Sequence, residues 1–291
     1  MTGFPGPWLV LALLAAAGCQ PSSGPGTKPL VVASVFPVYE FAREVARDRA
    51  QVILLVPTGV APHDWEPSPQ DVAQVRRARL FVYNGAGFEP WAAKLLAEID
   101  GPTTAVVRAT AGLALQAGDP HVWLDPLLGQ AQVETIRAAL ARVDPAGAQA
   151  YAARAKAFTA ELAALHGRFE TGLRDCARRE VVVSHAAFGY LTRRYRLEQV
   201  SVMGLAPESE PSPAGLAAIV RLARQRKVQA IFFEPLVSRR LADTLALEIG
   251  ARTLALNPIE GLTTEEAAGQ KGYLDLMAAN LDSLREGLGC R

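Results

Sequence analysis

The sequence predicts an α/β protein built from two parallel-sheet lobes joined by one long rigid helix, with a cleft between the lobes. Three observations carry that prediction. Short β-rich runs alternate with helical stretches from residue 30 onward, the alternation occurs twice, and one uninterrupted Ala-rich segment separates the two sets.

In the first set, "LVVASV" (30–35), "QVILLV" (51–56), "RLFVYN" (79–84) and "TTAVV" (103–107) are apolar without alternation, the pattern of strands buried on both faces. Helical stretches follow them near 38–48, 69–78, 89–99 and 127–143. Residues 145–176 contain no internal proline, and Tyr151, Phe158, Leu162, Leu165, Phe169 and Leu173 recur at three-, four- and seven-residue steps. This spacing predicts one helix of about 28 residues, roughly 40 Å long. The second set repeats the first: "EVVVS" (180–184), "LEQVSV" (197–202), "QAIFFE" (229–234) and "ARTLAL" (251–256), with helices near 187–195, 213–226, 238–249 and 270–288. The expected division is therefore a first lobe over 30–143, a linking helix over 144–176 and a second lobe over 177–291.

A local echo accompanies the duplication. "EPSP" occurs at 66–69 and again at 210–213. Ser68 and Ser212 suit helix N-caps, and Pro69 and Pro213 suit a first turn. Asp71 completes a capping-box pattern with Ser68.

The N-terminus follows other rules. "WLVLALLAAA" (8–17) is too short to span a bilayer but fits the core of a signal peptide over 1–18. It leads into "AAAGC" and the Ser/Gly/Pro-rich stretch after it, a flexible tether over 19–29. Small residues before a single cysteine resemble a bacterial lipobox, which implies lipidation at Cys19. The expected location is outside the cytoplasm, periplasmic or at the cell surface. The other two cysteines, Cys176 and Cys290, form an even pair in an oxidising compartment and suggest a disulfide.

Composition narrows the function. The 291 residues are 50% hydrophobic and 20% charged, with a formal charge of +1 and no basic block. That fits a globular chain with ample core and argues against a nucleic-acid partner. The expected oligomeric state is monomeric.

Only four histidines occur. His166 falls inside the predicted linking helix. The other three fall just beyond strands: His63 in "PHDWEPSPQD" after the second, His121 in "DPHVWLDP" after the fourth, and His185 in "VVVSHAAFGYL" after the fifth. In open parallel sheets, loops beyond the carboxyl ends of strands line the binding crevice. Three neutral imidazoles from both lobes meeting there suit a divalent transition metal, Zn²⁺ above all.

Those stretches, with "ESEPSP", "IFFEPLVS" and "LNPIEGL", resemble in order and spacing the zinc/manganese-binding solute-binding proteins of ABC transporters. The resemblance spans roughly residues 30–289. It implies a metal site in the cleft between lobes, with His63, His121 and His185 at the first three ligand positions. It also implies delivery of the metal to a membrane permease. At the fourth position the family usually has aspartate in "LDP", where this chain has Asn257. Glu260 or water is the alternative fourth ligand. Three histidines favour zinc, with manganese as the alternative cargo, because Mn²⁺ prefers oxygen donors. Asp125, Glu210 and Glu234 are candidates for holding ligand imidazoles from behind.

Two other classes remain open at this level. Three histidines on zinc with an open place also make a hydrolytic centre, but no HExxH or nucleophile motif accompanies them. The other is a surface protein acting in adhesion, with a structural metal.

Overall fold

The computed structural model describes residues 1–2, 28–99, 103–116, 118–205 and 213–291. The expected signal peptide, tether and Cys19, and also Glu210 and Ser212, lie largely or wholly outside them.

Among the described residues, eight strands form two four-stranded sheets, parallel throughout. The first contains β1 (Leu30–Ala33), β2 (Gln51–Leu54), β3 (Leu80–Tyr83) and β4 (Ala105–Arg108), in the order β2-β1-β3-β4. The second contains β5 (Glu180–Val183), β6 (Glu198–Ser201), β7 (Ala230–Phe233) and β8 (Arg252–Ala255), in the equivalent order β6-β5-β7-β8. Register matches as well: Leu30 pairs with Gln51 in one sheet and Glu180 with Glu198 in the other. The duplication read from the sequence is thus a duplication of topology. Continuous burial holds only for the central strands. β2, β4 and β8 are largely half-buried or exposed, being edges of narrow sheets with one side unpaired.

Ten helices among the described residues connect and flank the strands. In the first lobe these are α1 (Phe36–Ala46), α2 (Pro69–Arg77), α3 (Ala92–Glu98) and α4 (Pro126–Val143). Ser68 caps α2 through the expected reciprocal box with Asp71. The linking helix α5 runs Ala148–Gly172, 25 residues or about 38 Å. It is shorter than predicted because Pro145–Gly147 forms a separate 3-10 turn, and because the helix ends at Gly172, ahead of Cys176. Asp144 fixes its start, accepting from Arg49 at 2.9 Å and from the Tyr151 hydroxyl at 2.7 Å. Its buried stripe is Tyr151, Ala155, Phe158, Leu162, Leu165 and Phe169.

The second lobe has α6 (Gly189–Arg194), α7 (Pro213–Gln225), α8 (Arg240–Ile249), α9 (Thr264–Ala268) and α10 (Tyr273–Leu288). The helix predicted near 270–288 is α10, and a short helix the sequence reading lacked, α9, precedes it. Thr263 and Glu266 form a capping box that starts α9, and Gly272 starts α10 after a break at Gln270, whose φ is 51°.

One continuous core runs from the first sheet through α5 into the inner face of the second lobe; a smaller cluster lies between the second sheet and α7 and α8. The C-terminal helix is shared. Tyr273 packs edge-on against Phe41 of α1 at 5.0 Å, its hydroxyl donates to Trp123 O, and its backbone N–H donates to Glu40 at 3.1 Å. Further contacts tie the lobes together near the cleft. Trp123 Nε1 donates to Pro258 O at 2.7 Å, and Arg194 pairs with Asp125 at 2.7 Å. Cys176 and Cys290 are disulfide-bonded across 114 residues, fastening the end of α10 to the chain just past α5.

Candidate metal centre

Four loops beyond strand ends meet between the lobes. His63 sits in a 3-10 turn, Pro62–Asp64, after β2. His121 precedes another, Val122–Leu124, after β4. His185 directly follows β5, and Glu260 follows β8. His121 and His185 are fully buried, Glu260 retains 6% exposure, and only His63 is partly open, its side chain 10% exposed.

The geometry converges on one atom. Glu260 Oε1 lies 3.2 Å from His63 Nε2, 3.0 Å from His121 Nε2 and 3.3 Å from His185 Nε2. All four donor atoms fall within 4.8 Å of one another. A tetrahedral ion with ligands at about 2.0–2.1 Å has donor–donor edges of about 3.3–3.4 Å. The three edges from Glu260 match such a polyhedron, and the remaining edges are no longer than 4.8 Å.

Behind the imidazoles stand carboxylates. Asp119 Oδ1 accepts from the His121 backbone N–H at 2.9 Å and lies 2.9 Å from its Nδ1. Glu234 Oε1 accepts from the His185 N–H at 3.2 Å; its Oε2 is 2.7 Å from His185 Nδ1, an ion-pair approach rather than an aligned hydrogen bond. Each carboxylate fixes a ring so that Nε2 faces the cluster. Phe88 packs edge-on against His63 at 4.9 Å and His121 at 5.7 Å, walling one side.

Charges respond to this crowding. Burial pushes the Glu260 carboxyl up, but the three histidines facing it more than reverse that and hold it well below the usual carboxylate range. Burial pulls His185 down, yet Glu234 and Glu260 push it up to about 10. His121 is raised too: burial opposes, and Asp119 and Glu260 prevail.

Sequence reading and structure part at three residues. Asn257 is occupied elsewhere. Its Oδ1 accepts from the Ile259 N–H at 2.7 Å and its Nδ2 donates to Glu266 at 2.8 Å, so both polar ends serve the turn and leave the near-site role to Glu260. That turn holds Ile259 at φ 59°, a left-handed conformation that a β-branched residue rarely adopts. Asp125 does not back an imidazole. It caps α4 through Leu127 N–H at 3.0 Å and pairs with Arg194. Asp119 was missed, although its place two residues before His121 is the spacing of a side chain that bonds its own backbone two residues on. Glu210 lies outside the described residues, and His166 lies against Tyr195, its Nδ1 3.2 Å from the hydroxyl.

Two parallel-sheet lobes, a rigid connecting helix and a buried three-histidine, one-carboxylate cluster between them define the architecture of a metal-binding solute-binding protein. A family model described as the periplasmic component A of a zinc-uptake complex matches residues 31–287, and the chain belongs to that family. It is 38% identical to the high-affinity zinc uptake system protein ZnuA of Bacillus subtilis, over 95% of this chain and 94% of that one. It is 35% identical to the zinc-binding lipoprotein AdcA of Streptococcus pneumoniae, covering 96% of this chain but 60% of that longer protein. The crystal structure of the Zn(II)-bound ZnuA-like domain of Streptococcus pneumoniae AdcA superposes with a TM-score of 0.81 at 38% identity, over 90% of this chain and 99% of that domain.

Proposed function

We propose that this protein captures Zn²⁺ outside the cytoplasm and delivers it to an ABC permease for import. His63, His121 and His185 bind the ion through Nε2, and Glu260 is the fourth ligand. The observation that carries this reading is the convergence of three Nε2 atoms on one Glu260 oxygen at 3.0–3.3 Å.

Zinc is favoured over manganese by the donor set. Three imidazoles and one carboxylate suit a borderline-soft tetrahedral ion, whereas Mn²⁺ favours more oxygen donors. The relatives' names point the same way. A hydrolytic zinc centre needs an open place for water, and Glu260 as fourth ligand would fill it. Anchoring by lipid at Cys19 fits the naming of a relative as a lipoprotein. Among the described residues no helix is long and apolar enough to cross a membrane. Metal analysis of protein purified without added metal, followed by competition of Zn²⁺ against Mn²⁺, tests the cargo. Zinc recovered at one equivalent and preferred in competition supports the reading; a preference for manganese contradicts it.

A further inference from the structure

Beside the cluster, between α2 and α3, opens a pocket of about 850 Å³ with His63 in its lining. Nothing in the ion-binding role requires so large a space. A dication with six waters occupies on the order of 200 Å³ at about 30 Å³ per water, whereas pockets for organic ligands run about 300–1,000 Å³. The pocket is also not lined for a bare cation. Trp65 and Trp91, in an edge-to-face pair 5.1 Å apart, form an apolar wall with Val72 and Leu95. Arg76 and Lys94 bring positive charge to the same lining, and Glu66 and Glu98 negative charge. All four are exposed, and none makes a side-chain hydrogen bond or ion pair among the described residues. Apolar aromatic surface bordered by free charges of both signs matches a small zwitterion with an apolar or aromatic side group.

The position supplies the rest. His121 and His185 are fully buried and Glu260 nearly so, which leaves His63 the most exposed member of the cluster, and it is the member lining this pocket. We infer that the pocket binds a small metal-chelating zwitterion of the α-amino-acid class and so presents chelated zinc to His63. Its carboxylate would meet Arg76 and Lys94, its ammonium Glu66 or Glu98, and its side group the Trp65–Trp91 wall. The inference rests on the zinc-site reading above and extends it: the protein would accept zinc in complexed as well as hydrated form.

The test follows zinc loading by tryptophan fluorescence in a stopped-flow instrument. Zinc is supplied either as the aqua ion or with excess L-histidine, to the wild type and to an Arg76→Gln/Lys94→Gln variant. Both substitutions are at exposed positions outside the four-residue cluster. The variant should load from aqua zinc at the wild-type rate. From the histidine complex it should load about tenfold more slowly or worse, as expected for losing one or two charged contacts worth about 1.4 kcal/mol together. Equal loading of wild type and variant from the histidine complex overturns the inference, as does a wild type that loads from aqua zinc but not from the complex. A wild type that binds no aqua zinc overturns the site reading itself.

Discussion

Glu260 enters a space lined by three imidazoles, where burial alone would favour its neutral form; the histidines hold it ionised instead. The balancing charge sits on the rings, since His185 is pushed up to about 10 and His121 is raised. Below that range the metal-free site therefore carries imidazolium, and zinc requires neutral Nε2, so binding must expel protons. Zinc affinity should rise with pH through the neutral range, and calorimetry in buffers of different ionisation enthalpy should show at least one proton released per ion. A pH-independent affinity would contradict the charge assignment. His63→Ala, His121→Ala, His185→Ala and Glu260→Gln should each weaken zinc by at least about a hundredfold, because changes behind the ligands alone cost about 10–100-fold. Asp119→Asn and Glu234→Gln should fall in that lesser range, and His166→Ala should change nothing, all read by chelator competition. The three histidines stood out in the sequence because they are few and each lies in a connection that follows a strand. Asp119 was not, because an aspartate in a turn has many ordinary roles and only the fold shows its oxygen against Nδ1.

At the scale of elements, the sequence reveals the strands and most helices because parallel sheets demand apolar runs and helices need caps and periodicity. It does not reveal the path of the connection after β8. There Asn257 sits where the family pattern suggests a ligand, yet it shapes the turn: it accepts from Ile259, donates to Glu266 at the start of α9, and its main chain is held by Asn280. The missed helix α9 and the turn role of Asn257 share one cause. Thr263, Glu266 and Asn257 form a local network that no periodicity advertises. Asn257→Asp would lose the donor to Glu266 and set two carboxylates against each other. It should lower stability by about 1–3 kcal/mol without tightening zinc. Thermal melts and zinc titrations check this; a tighter zinc complex with an unchanged melting temperature would place residue 257 among the ligands.

Across the whole molecule, the cleft is held by contacts at several heights: the α5 core, the Asp125–Arg194 pair, the Trp123–Pro258 bond and the shared helix α10. Lobe duplication was legible because it repeats a pattern. The inter-lobe bonds were not, since each joins residues far apart in sequence. The Cys176–Cys290 bridge closes a loop of 114 residues. A chain-entropy treatment puts such closure at about 4–5 kcal/mol, so reduction should lower the melting temperature while leaving the zinc ligands in place. Two freely alkylated thiols in the native protein purified without reductant would remove that contribution. The four-ligand site itself is tested most directly by diffraction from zinc-loaded crystals at the zinc absorption edge. One anomalous peak is expected about 2.0–2.2 Å from Nε2 of His63, His121 and His185 and from a carboxylate oxygen of Glu260. A peak with water or Asn257 in place of Glu260, or one lying away from the three histidines, would contradict it.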